Sequence, residues 1–182
     1  MQSLRRYSFL NKLIIAVSVL LCLLLSPTRL PGMELLGVGT NWILIWVVVW
    51  SIKRTVFQGM MAGLVMGLIQ DGLVGAYPSH VFSLVAVGIL TASLQKQRYI
   101  QEDFISVALI VFGMVIIAEG ITSVQYMIGR MRPFAEIGRD YQRLVLSSAI
   151  LTSLWSPVIY YPLNAWWEKA PNNSHLRSKS KS

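Results

Sequence analysis

Long apolar intervals divide the chain into lengths that suit a lipid bilayer. A spanning helix needs about 20 mostly apolar residues, and a charge at the bilayer centre costs about 2.5 kcal/mol or more. Charge-free intervals cover residues 13–28, 35–52 and 144–167, and two longer intervals, 55–95 and 104–129, contain a single acidic residue each. The interval 55–95 fits two helices joined by a tight turn near residues 75–78, where glycine and proline favour a turn.

The pattern therefore predicts an all-α polytopic membrane protein with about six transmembrane helices in one domain, residues 1–168. The predicted spans are 9–26, 35–52, 56–74, 79–95, 104–122 and 144–165. Residues 169–182 are polar and basic, which predicts a disordered cytoplasmic tail. The first interval also has the shape of a signal peptide, but residues 26–31 lack a small-residue cleavage pair and contain two prolines, which favours a retained helix.

Composition and charge point to a membrane rather than to nucleic acid. Of the 182 residues, 54% are hydrophobic and only 13% are charged, against roughly a quarter in soluble domains. The net charge of +8 would suggest nucleic acid in a soluble protein, but in a membrane protein it records topology. With the amino terminus inside, eleven of the 16 Lys and Arg residues lie in cytoplasmic segments. We therefore predict a multi-pass protein with both termini cytoplasmic and no nucleic-acid partner.

The third predicted helix carries a regular stripe of small residues. Gly59, Gly63, Gly67, Asp71 and Gly75 recur every four residues. A step of four residues advances a helix by about 400°, so these positions form one slanting stripe. Such a stripe lets another helix approach closely. The four glycines are therefore candidate helix-packing or partner-interface residues, and the pattern leaves open whether the second helix belongs to the same chain.

Two acidic residues and a histidine lie within or at the ends of the predicted spans. Asp71 and Glu119 are both 15 residues into their helices, at a similar depth of about 22 Å from the cytoplasmic end. His80 lies at the outer start of the fourth helix. A carboxylate inside a bilayer is a candidate functional group. We interpret the three as embedded polar anchors, with an ion or substrate site and a helix-end role as the alternatives.

No sequence motif for catalysis or metal binding accompanies these residues. The chain has two histidines and one cysteine, Cys22, and contains no HExxH, GxSxG or phosphate-loop pattern. We therefore predict that the protein is not an enzyme and has neither a cofactor nor a metal site.

The third and fourth helices resemble the rod shape-determining MreD family. The resemblance rests on Gly63, Gly67, Asp71 and Gly75, a tight outer turn, and the basic 96–98 segment that ends the fourth helix. It implies a fold similar to the substrate-binding subunits of vitamin transporters. It also implies a non-enzymatic scaffold or regulatory subunit of the bacterial cell-elongation complex, in the inner membrane where peptidoglycan is made. The implied partners are MreC and, through it, MreB filaments, RodA and its penicillin-binding partner, besides membrane lipid.

A different class of function stays open beside this one. A small-solute transporter, or its membrane substrate-binding subunit, would place Asp71, Glu119 and His80 around an outward-facing cavity. Its helices would be broken at Gly72 and Gly120. The lack of an obvious internal repeat and the presence of only two embedded acids favour the scaffold.

Overall fold

The computed structural model of the protein describes residues 2–26, 34–35, 38–75, 78–96, 104–129 and 134–169. Its helices are α1 (Gln2–Leu25), α2 (Trp42–Ile52), α3 (Val56–Val74), α4 (His80–Lys96), α5 (Phe104–Ile128) and α6 (Phe134–Lys169). Two-residue strands, β1 (Glu34–Leu35) and β2 (Val38–Gly39), pair antiparallel before α2. The prediction of a six-helix, all-α architecture is confirmed. Within the described ranges, α3 and residues 105–128 of α5 are long and apolar enough to cross a membrane.

Helix α2 is the centre of the bundle. Its sequence is apolar on every side, and a helix of that kind is stable only when it is surrounded. Ten of its 11 residues are buried, because each of the other five helices contacts it. The Trp46 indole donates to the Ser18 hydroxyl of α1 at 2.9 Å, and Trp42 packs against Trp155 of α6 with ring centroids 5.7 Å apart. These contacts hold the first and last helices to the centre.

The second predicted span, 35–52, differs from the structure in its first part. The helix begins only at Trp42, where the Asn41 side chain accepts a hydrogen bond from the Leu44 N–H at 3.1 Å and caps the first turn. The Asn41 N–H is held by the Thr152 hydroxyl of α6 at 3.2 Å. Eleven residues extend about 16 Å, roughly half of a bilayer core. Helix α2 therefore begins inside the bundle rather than at its edge.

The remaining helices overlap the predicted spans but differ at their ends. Helix α3 has the predicted bounds, α4 begins one residue later, and α1, α5 and α6 are longer than predicted. Helix α6 continues through Pro157, which lacks the N–H that would bond to the Ser153 carbonyl oxygen. The Ser156 hydroxyl donates to that oxygen instead, at 2.8 Å, so the helix is not interrupted. Lys169 ends α6, and the rest of the predicted tail lies outside the described residues.

The turn between α2 and α3 is basic and is bound to the bundle. The Lys53 ammonium donates to the Asn164 amide oxygen of α6. The Arg54 guanidinium lies 4.4 Å from the centroid of the Trp50 ring, a cation–π contact. Burial lowers the pKa of Arg54, although an arginine remains protonated at physiological pH. Positive charge is thus fixed at the end of the bundle that the sequence predicts to be cytoplasmic.

Candidate functional site

The glycine stripe of α3 lies directly against the backbone of α4 in the same chain. A methyl group at Gly63 would lie 2.2 Å from the Leu84 carbonyl oxygen, and one at Gly59 would lie 2.5 Å from the Gly88 carbonyl oxygen. A methyl group at Gly67 would come within 2.5 Å of the first turn of α4. The two backbones are therefore closer than any side chain at these positions allows. This face of α3 is covered within the chain, so a partner protein does not contact it.

Gly75 has a different role from the other three glycines. A methyl group there would meet nothing within 4 Å, but the residue has a φ of +122°, which residues with a side chain rarely adopt. Its N–H donates to the Asp71 carbonyl oxygen at 3.0 Å. Gly75 therefore ends α3 and turns the chain towards α4 instead of packing against another helix.

The Asp71 carboxylate joins the end of α3 to the start of α4. Its Oδ1 accepts hydrogen bonds from the His80 backbone N–H at 2.7 Å and from His80 Nδ1 at 2.9 Å, and its Oδ2 accepts from the Ser79 hydroxyl at 2.8 Å. His80 is the first residue of α4, so the carboxylate caps that helix from the neighbouring one. Three donors compensate a charge that would otherwise be costly to bury.

Gln125 of α5 binds the same turn from the other side. Its Oε1 accepts from the Ser79 N–H at 2.9 Å, and its Nε2 donates to the Ser79 carbonyl oxygen at 2.9 Å. The amide thus pairs with one residue of the turn as a neighbouring strand would. We call Asp71, Ser79, His80 and Gln125 the turn cluster. It ties α3, α4 and α5 together at one level. Ser79 and Gln125 are uncharged, so the pattern of charged residues in the sequence did not indicate them.

A cavity of about 70 Å³ lies beside the turn cluster. Its walls come from α2, α3, α4 and α5 and comprise Asn41, Leu44, Gln70, His80, Ser83, Leu84, Ala118, Glu119 and Thr122. Glu119 lines the cavity and Asp71 does not, whereas His80 belongs both to the cavity wall and to the turn cluster. The structure therefore brings Asp71 to His80 directly and relates Glu119 to them only through the His80 side chain. Within the described residues, no group of three or more His, Cys, Asp or Glu side chains could hold a metal ion.

Comparison with known protein families shows to which family the chain belongs. The profile of the family described as rod shape-determining protein MreD matches residues 7–163, which include the stripe, the turn cluster and the cavity. The chain belongs to the MreD family. It is therefore a rod shape-determining membrane protein, and the resemblance inferred from α3 and α4 is confirmed. No curated protein and no solved structure matches the MreD-family chain, so its predicted likeness to vitamin-transporter subunits stays a prediction.

The helix breaks that a transporter would have at Gly72 and Gly120 are not present in the structure. Helix α3 continues through Gly72 to Val74, and α5 continues through Gly120 to Ile128. Both glycines have nothing within 4 Å of a built methyl group, so neither is required by close packing. In the described bundle, the helix that begins within the protein is α2, at the Asn41 cap.

Proposed function

We propose that this MreD-family chain is a non-enzymatic inner-membrane subunit of the bacterial cell-elongation complex that binds MreC. The observation that carries the proposal is the turn cluster together with the α3–α4 contact. The Asp71 carboxylate is engaged by three donors of the same chain, and the glycine stripe brings two backbones together. Both features support a rigid scaffold in which the Asp71 carboxylate has a structural role.

The proposed topology has six membrane passages with both termini in the cytoplasm. The length and apolarity of α3 and α5 support it, as does the excess of Lys and Arg at the ends of the predicted spans that would face the cytoplasm. In this arrangement the short α2 crosses the inner part of the bilayer, and the β1–β2 segment before it completes the passage within the bundle. The Asp71 and Glu119 levels then lie in the outer half.

In the proposed complex, MreC contacts surfaces other than the glycine stripe. Exposed apolar side chains suit both lipid tails and the membrane span of a partner, and α3 presents Phe57, Met61, Val65 and Leu68 in this way. Through MreC the protein is linked to MreB filaments, RodA and its penicillin-binding partner. A solute-binding role gains no support, because pockets for drug-sized ligands are about 300–1,000 Å³ and this cavity is about 70 Å³.

Co-purification from native membranes tests the proposed partnership. We expect affinity-tagged wild-type chain, solubilised in mild detergent, to recover MreC. A Gly72→Ala variant is a matched control, because a methyl group there meets nothing within 4 Å and recovery should not change. Folded, membrane-inserted wild-type chain that recovers no MreC would show the proposed partnership to be wrong.

A further inference from the structure

Two hydroxyl groups in the wall of the cavity beside the turn cluster present oxygen lone pairs to it. The Ser83 hydroxyl donates to the His80 carbonyl oxygen at 2.9 Å, and the Thr122 hydroxyl donates to the Ala118 carbonyl oxygen at 3.0 Å. Each hydroxyl therefore has its only hydrogen directed at its own helix. What remains for the cavity is the lone pairs of two oxygen atoms.

Two further groups, the Gln70 amide oxygen and the Glu119 carboxylate, add acceptors to the same wall. Gln70 Oε1 is buried and has no hydrogen-bond partner, and the Glu119 carboxylate lines the same cavity. A buried acceptor such as Gln70 Oε1 is costly to leave without a partner.

We propose that this cavity binds a small monovalent cation, held by the Glu119 carboxylate and Gln70 Oε1 and completed by the Thr122 and Ser83 oxygens. Oxygen ligands suit hard cations, and one carboxylate balances one positive charge. A volume of about 70 Å³ accommodates such an ion with a water or two. The Asp71 carboxylate at the start of α4 offsets the positive end of that helix.

Thermal unfolding of the purified full chain in detergent measures this binding. The probes are the chlorides of sodium, potassium and ammonium, each compared at equal ionic strength with N-methyl-D-glucamine, which is too large for the cavity. At least one small cation should raise the unfolding midpoint by about 2–4 °C above the large cation. Equal midpoints in all four salts would overturn the proposal.

Variants of the cavity wall separate a specific site from a general salt effect. Glu119→Gln and Gln70→Leu should each remove the cation-dependent rise. Gln58→Leu changes an exposed glutamine at the other end of the same helix. It should keep the rise even if loss of the bond from the Thr55 N–H to its side chain lowers the midpoint itself. A rise that persists in both cavity variants would contradict the site. If Glu119→Gln does not fold, Gln70→Leu alone decides.

Discussion

Replacing Gly63 with alanine should destabilise the protein by about 3 kcal/mol, at the upper end of the range for overpacked cores. The added methyl group would lie 2.2 Å from the Leu84 carbonyl oxygen and 2.8 Å from Val85 Cα. Both atoms are backbone, so no side-chain rotation relieves the clash and the two helices must separate. Such separation forfeits the van der Waals contact that holds helices together in lipid. The measurement is the thermal unfolding midpoint of detergent-solubilised protein.

The matched control for this change is Gly72→Ala in the same helix. A methyl group there meets nothing within 4 Å, and alanine favours a helix over glycine by about 0.5–1 kcal/mol. The midpoint of Gly72→Ala should therefore stay the same or rise. Equal midpoints for Gly63→Ala and Gly72→Ala would show that α3 and α4 are not in the close contact described.

Replacing Asp71 with alanine should cost a similar amount, about 3 kcal/mol, for a different reason. The change leaves the His80 N–H, His80 Nδ1 and the Ser79 hydroxyl without their acceptor and removes the cap of α4. Asp71→Asn keeps one acceptor oxygen and nearly the same shape, so it should lose only about 1 kcal/mol. The order of unfolding midpoints should be wild type, Asp71→Asn, Asp71→Ala.

The same series distinguishes a structural anchor from a charge that acts in function. A hydrogen-bond anchor predicts that Asp71→Asn retains MreC recovery and cell shape. Normal stability of Asp71→Ala would show that Asp71 is not a structural anchor. Loss of cell shape in a fully stable Asp71→Asn variant would show that function requires its negative charge.

The sequence predicted the α3–α4 hairpin well because its signals are local. Glycines at a spacing of four allow close approach of another helix, and glycine and proline near residues 75–78 favour a turn. The stripe shows which face of α3 can pack closely, but it does not show which helix packs there. The identity of the second helix was therefore not predictable. Gly88 of α4 contacts Gly59. Because Gly88 is the one glycine in its helix, it forms no repeating pattern that would have marked α4 as the neighbour.

The start of α2 and the contacts of Gln125 were not predicted, because the pattern of hydropathy and charge along the chain does not indicate them. The interval 35–52 contains no charge, so it predicted a full span, while the start of α2 is fixed by one asparagine side chain and by Thr152 of a distant helix. Gln125 is uncharged and lies in an apolar helix, yet it forms two of the hydrogen bonds of the turn cluster. The Asn41 cap is local and simply carries no charge, whereas the contacts of Thr152 and Gln125 join residues far apart in the chain.

Cell shape is the most direct test of whether this chain is needed for rod form. In its native host, cells depleted of the chain should become round, and restoring the wild-type chain or Gly72→Ala should return the ratio of cell length to width to its original value. Gly63→Ala, compared at equal expression, should leave the cells round. Depleted cells that keep their rod shape would show that the chain is not needed for rod form.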